Sequence, residues 1–361
     1  MKNAKSTPCY LLIAISGLIF LLTALSGYGA SISFMLGDVK VTRSGKTITA
    51  ELDKKLLAGD MIKTGKDGIA TVKYDDGSEI KIQESSWVKI GDKAAEDKEF
   101  TSVLSGVIKA KFSKVKKGEE RKVYTPTTVC SVRGTEFMVG VSEGADSQVA
   151  LTEGKLDVGN PYGTTQIKEN QKVEVNVAKA PETQKGFELS MDDLLNWKKT
   201  SDSEFEKNPE AKSESFNDYI STLNKRSQDS TNKISGLEKK NEDPSKLEKK
   251  DIESASQEVK NVESTVVDDM FLNSATGSSL DGILNRYQKD KKGMYDIYLK
   301  IKAESNKVQE QQKKNYEAIM AVKAAYKKAY DEIMGKNKSY IDKIKGGYDK
   351  EKVKPNKQEQ K

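Results

Sequence analysis

The residues with the greatest chemical reach in this 361-residue chain are basic. Lys109, Lys111, Lys114, Lys116, Lys117, Arg121 and Lys122 crowd around one turn. Such a cluster could hold an anionic polymer through several weak, salt-sensitive contacts. The same lysines equally suit an edge strand and loop kept from aggregating. A little further on, Arg133-Gly134-Thr135 could touch a ligand. The expected role is structural: Gly134 permits a turn and Arg133 pairs with a carboxylate or with carbonyls. There is no histidine, which removes the commonest general base, the commonest zinc ligand and the standard serine or cysteine triads. The two cysteines, Cys9 and Cys130, have no CxxC spacing, so structural zinc and thioredoxin-like chemistry are not expected. Aspartate and glutamate are plentiful, but their spacing singles out no catalytic pair. The reading is a non-enzyme with no cofactor and no metal.

These residues have to be positioned by strands. The stretch from Thr125 to Phe137 reads as an extended strand, a tight turn at Gly134 and a second strand, with Pro126 where its missing N–H costs least. Val129, Val132, Phe137, Val139 and Val141 supply the bulk that strands favour. Elsewhere between residues 31 and 180 the apolar period is two. Ala70, Val72 and Tyr74 alternate with polar residues, and so do Ile80 and Ile82, Ile108, Ala110 and Phe112, and Val173, Val175 and Val177. That rhythm hides one face and wets the other, as in antiparallel sheets. Asp76-Gly77 between two such runs is a strong hairpin signal. Cys130 shares its strand face with Val132 and is expected to be a buried small hydrophobe. The predicted fold is a mainly β domain, an antiparallel sandwich or roll, followed by an α-helical, partly coiled-coil region.

An ordered series within this domain carries a family resemblance. It runs Gly37-Asp38, Gly59-Asp60, Gly65, Asp76-Gly77, Gly106, Thr125-Pro126 and finally Arg133-Gly134-Thr135. In that order, over about residues 35 to 160, it resembles a FecR domain. The resemblance implies an all-β, non-catalytic exported domain. In its best-known setting the family relays an iron-siderophore signal from an outer-membrane receptor to a cytoplasmic sigma factor. This chain departs from that setting. Only residues 1–9 precede its apolar run, too few to fold into a cytoplasmic domain. Its second half is charged and helical.

Lys2 and Lys5, an apolar run from Tyr10 to Leu25, then Ser26, Gly27, Gly29 and Ala30 follow the order of a secretory signal. Residues 1–30 are expected to be a signal cleaved near Gly29 or Ala30. The competing expectation is an inner-membrane anchor over residues 10–30, since the run is long enough to span a bilayer. Positive-inside logic exports the rest, to the periplasm or cell envelope, in both cases.

The rhythm changes after Pro181. With 32% charged and 35% hydrophobic residues overall, the chain suits a packed part joined to a solvated helical part. Residues 181–260 read as a polar linker with short helices, the first starting at Ser190. Residues 261–345 read as helical, interrupted at Gly277-Ser278-Ser279 and running on from Leu280 to Met334. That seam suits a helical hairpin or a coiled coil able to self-associate. Gly346-Gly347 is expected to end the helix, and residues 346–361 to be a disordered tail. A net charge of +6 is too small to attract nucleic acid over the whole molecule, so no nucleic acid is expected. The partner would be an envelope protein or an anionic envelope polymer. The functional expectation is an envelope protein whose β domain binds or scaffolds. The alternatives are a membrane-anchored FecR-type regulator and a glycan-binding or glycan-processing protein.

Overall fold

A computed structural model describes residues 29–94, 98–116, 120–185, 190–240, 248–288 and 293–351. The targeting segment and the last ten residues lie outside them. Among the described residues, seventeen strands run from β1 (Ala30–Leu36) to β17 (Glu182–Lys185). The mainly antiparallel fold expected from the two-residue rhythm is present. The sheet continues past Pro181, where that rhythm fades, through β17.

One strand organises the domain. β9 (Lys98–Lys111) belongs to two sheets. Its first part lies between β8 (Trp87–Ala94) and β10 (Arg121–Tyr124), the latter in a parallel pairing that breaks the otherwise antiparallel pattern. Its second part lies between β7 (Glu79–Ile82) and β12 (Glu136–Val141). The two sheets therefore share β9, and their inner faces close over one core containing Ile62, Val72, Ile108, Cys130, Phe137, Val149 and Leu156. The crossover falls at Gly106, with φ +99°. A side chain there would place Cβ 2.1 Å from Ser86 Oγ and 2.3 Å from Ser86 Cα. The Ser86 hydroxyl accepts a hydrogen bond from the Val107 N–H at 3.0 Å, and the Thr64 hydroxyl accepts one from the Ser86 N–H at 2.9 Å.

Four helices follow among the described residues: α1 (Met191–Lys207), α2 (Pro209–Lys240), α3 (Lys249–Tyr287) and α4 (Met294–Glu351). Ser190 caps α1 through a reciprocal box with Asp193. α2, α3 and α4 form an up-down-up bundle. Tyr298 OH donates to the Pro209 carbonyl at one end and Tyr326 OH to the Leu237 carbonyl near the other, so α2 and α4 run the same way. Asn273 on α3 meets Ser305 and Gln312 on α4 in a buried polar layer. It separates one apolar cluster around Tyr219, Ile283 and Tyr298 from another around Leu237, Ile252 and Ile319.

Three expectations are corrected here. The polar linker is not one: α2 spans 32 residues and buries Phe216, Tyr219, Ile220, Leu223, Ile234 and Leu237. Its seam is narrow and passes through Ser227 and Ser230, which are also buried, so the apolar count understates it. Gly277-Ser278-Ser279 does not interrupt α3. Gly277 abuts α4, where Lys302 Nζ donates to its carbonyl at 2.6 Å, and Ser278 Oγ bonds back to the Ser274 carbonyl. The turn comes later, before α4, at Gly293 with φ +79°. Finally, α4 passes through Gly335 and Gly346-Gly347 and is helical as far as Glu351, the last described residue.

Replacing Gly106 by valine should destabilise the protein by roughly 2–5 kcal/mol, since strain at positive φ adds to overpacking. Gly45 also has positive φ, but a Cβ added there would meet nothing within 4 Å. Gly45→Ala should cost only about 1 kcal/mol. Denaturant midpoints of the two variants measure the contrast.

Candidate functional site

The β10–β11 hairpin, which carries Thr125 and Pro126, is where the helices meet the sheets. β11 (Val129–Val132) pairs with β10 from Arg121↔Val132 to Tyr124↔Val129. The connecting turn is closed by Thr125 N–H to the Thr128 carbonyl at 2.8 Å, and Thr125 Oγ1 accepts from the Thr127 N–H. Thr125, Thr127 and Thr128 are fully buried. α3 covers them. Thr276 Oγ1 donates to the Pro126 carbonyl at 2.6 Å, and the Tyr124 and Phe271 rings stack with centroids 5.0 Å apart. Lys122 Nζ donates to both Asp268 oxygens at 2.7 and 2.9 Å, and Tyr124 OH donates to Oδ1 at 2.7 Å. The Lys122 side chain is only 5% exposed. Burial, with the Asp268 charge second, pushes the Tyr124 phenol well above its ordinary range, so it stays a donor.

Beside this contact lies a second buried ion pair. Arg226 of α2 donates through Nε to both oxygens of Asp269, at 3.0 and 2.9 Å. Asp269 is 2% exposed, and burial raises its carboxyl to about 6 despite the guanidinium. On the other flank, Lys212 of α2 donates to both oxygens of Asp146, and Asp202 of α1 accepts from the Glu143 N–H. The helices are thus tied to the sheets by buried charge at several points.

The other family-motif residues are turn makers and braces. Gly37, at φ +67°, leaves no room for a side chain against the Asp67 carbonyl. Asp38 accepts from the Gly65 N–H through its carbonyl at 2.7 Å, and its side chain pairs with Lys40. Gly59, also at positive φ, precedes Asp60, which is 1% exposed. Asp60 accepts from Arg43 Nε at 2.8 Å, Arg43 Nη2 at 2.6 Å and the Leu57 N–H at 2.9 Å. Asp76-Gly77 forms the turn between β6 (Ile69–Tyr74) and β7, as its sequence predicts. Asp76 also meets Arg121 and Ser78. Gly134, at φ +96°, packs against the backbone of Lys114. Thr135 is buried and its carbonyl accepts from the Phe112 N–H. Arg133 is 74% exposed and lies 4.0 Å from Glu120, an exposed pair worth little. Cys130 is fully buried, and burial pushes its thiol up to about 12, so it behaves as a small apolar residue.

The basic residues around the turn do not gather into one patch. Lys109 and Lys111 pair with Glu136 across β9 and β12, and the Lys109 hydrogen bond holds the Glu136 carboxyl below its usual range. Arg121 is taken by Asp76 and lies over the Phe112 ring. Lys122 is buried under α3. Lys114 and Lys116 are exposed, and Lys117 lies outside the described residues. Alternation along a strand sends neighbours to opposite faces, which residue count alone does not show. Sequence reasoning missed Asp268, Asp269 and Arg226. Their only signal is a charged residue on an otherwise apolar stripe of helix.

No group of residues among those described could hold a metal ion, and no helix among them is long and apolar enough to cross a membrane. Residues 60–157 match the model of the FecR protein family, so the chain carries a FecR domain over that stretch. Two crystal structures of a putative anti-sigma factor from Parabacteroides distasonis ATCC 8503, at 1.65 and 2.50 Å resolution, are similar over part of their length. Identity is 17% and the TM-score 0.32, with 35% of this chain and 59% of the solved chain covered. No curated protein matches.

Truncating Asp268 to alanine would leave the buried Lys122 ammonium with Glu120 alone, 3.5 Å away, and should cost up to about 3–5 kcal/mol. The double variant Lys122→Met/Asp268→Leu should cost clearly less, and chemical denaturation of the two tests this. For Asp269, the folded-state pKa lies above the unfolded value. Its contribution is therefore present below about pH 4 and lost as pH rises through about 6. Asp269→Asn should flatten the fall in stability between those pH values, by up to about 3 kcal/mol. Denaturant titrations at a series of pH values give that slope.

Proposed function

We propose that this is a non-enzymatic exported envelope protein. Its FecR domain serves as a binding and scaffolding module, and its helical bundle is clamped onto that domain as a projecting arm. The observation that carries the reading is the burial of the Thr125–Thr128 turn beneath α3. In this chain the Thr125-Pro126 part of the domain's motif is covered by its own helices, so a partner meets the composite surface of sheets and bundle. The motif residues support the same reading, because each is engaged in a turn, an ion pair or the core. The partner would be an envelope protein or an anionic envelope polymer, not nucleic acid, and the bundle could also pair with a second copy.

The FecR match favours one other reading, a signal-transducing regulator held in the inner membrane by residues 10–30. The native amino terminus separates the two. Edman sequencing of the protein recovered from fractionated cells should start at Ala30 or Ser31, in the envelope or periplasmic fraction. Retention of Met1 in the inner membrane would favour the regulator. Recovery from the cytosol would contradict both.

A further inference from the structure

A cleft of about 400 Å³ lies outside the β9 crossover, between the sheets and the carboxy-terminal end of α3. That is within the usual range of about 300–1,000 Å³ for small-ligand sites. Its floor is apolar, made by Leu104, Phe205 and Ile283, all buried. One wall is the half-buried Trp87. Around these stand hydroxyls and one amide, Ser85, Ser279 and Asn285. The rim carries Lys63, Lys66 and Arg286 against a single carboxylate, Glu143.

Two features make this more than a gap between modules. The first is charge. Arg286 is neutralised by Glu143 and Glu206. Lys63 and Lys66 are exposed and have no carboxylate partner among the described residues; Lys63 Nζ sits 5.9 Å from the centroid of the Trp87 ring. By contrast, Lys122, Lys212 and Arg226 at the sheet–helix junction are all paired. The second is space. Gly282 lies inside a helix, where glycine is the least favoured residue after proline. A side chain built there would meet nothing within 4 Å, and the residue lines the cleft.

We propose that this cleft binds an acidic saccharide. An aromatic wall suits the apolar face of a sugar ring, the hydroxyls and the amide suit its hydroxyl edges, and the two unpaired lysines suit a carboxylate on it. The assignment rests on the binding-module reading and names its ligand class.

The probe is a tetrasaccharide of α-1,4-linked galacturonic acid, with maltotetraose as the neutral control of equal length. Titration of the full chain is followed by tryptophan fluorescence and calorimetry, and the saccharide is afterwards analysed by chromatography. The acidic probe should bind, the neutral one should bind at least about tenfold more weakly, and added salt should weaken the acidic interaction. Gly282→Leu fills the cleft with a better helix former. It should keep the thermal midpoint or raise it while weakening binding by at least about tenfold. Lys63→Ala/Lys66→Ala should remove the preference for the acidic probe. Absence of binding at about 10 mM probe, equal binding of the two sugars, or binding unchanged by Gly282→Leu would overturn the assignment. Cleavage of the bound probe, lost in Gly282→Leu, would uphold the cleft and overturn the non-enzymatic reading instead.

Discussion

Lys122 sits on a strand whose outer face is covered by a helix, and an ammonium removed from water has to be neutralised where it lies. Asp268 makes the closer contact, with Tyr124 sharing its carboxylate, and Glu120 lies 3.5 Å away on the same ammonium. The requirement fixes which part of α3 crosses the hairpin, and the stacked Tyr124 and Phe271 rings and the Thr276–Pro126 bond fall into register around it. One residue along α3, Asp269 reaches the other way, to Arg226 on α2. Adjacent aspartates thus orient the helix toward the sheets and toward the bundle. Buried pairs of this kind add little net stability over apolar substitutes, but breaking one is costly. Their effect is to exclude other docking positions.

The sheets have a comparable constraint in Gly106. A strand can serve two sheets only if its backbone turns between them, and there Ser86 leaves no room for a side chain. The floor of the cleft at Leu104 lies beside that turn, where pairing passes from Ser105↔Trp87 in one sheet directly to Gly106↔Val141 in the other. The space is kept open from the helix side by Gly282. A site can therefore arise at the junction although neither module contains it alone.

Much of the β domain is legible from residue order. Alternation around Val72, Ile80 and Val173 gives the strands, Asp76-Gly77 gives its hairpin, and the glycines of the motif stand at bends. The crossover of β9 is not legible, because only its second half alternates, Val103 and Leu104 are both buried in the first, and tertiary contacts alone divide the strand between the sheets. The helical half misleads for two reasons. Ser227 and Ser230 occupy buried seam positions in α2, so a real packing stripe looks polar. Gly277 is tolerated because α4 packs closely over it and Lys302 bonds its carbonyl; weak propensity yields to tertiary contact. Of the candidate site, the lysines were visible but not their faces, and Asp268 could not be recognised as a partner 146 residues away from Lys122.

The central claim is that α3 seals the Thr125–Thr128 turn, making sheets and helices one unit. Native-state hydrogen exchange of the intact protein, read at the Thr127 amide, tests it most directly. That N–H is bonded to Thr125 Oγ1 beneath the helix. The account predicts protection equal to that of the β10–β11 ladder. Exchange at the rate of an open surface turn would mean that the helices do not rest there, and would contradict it.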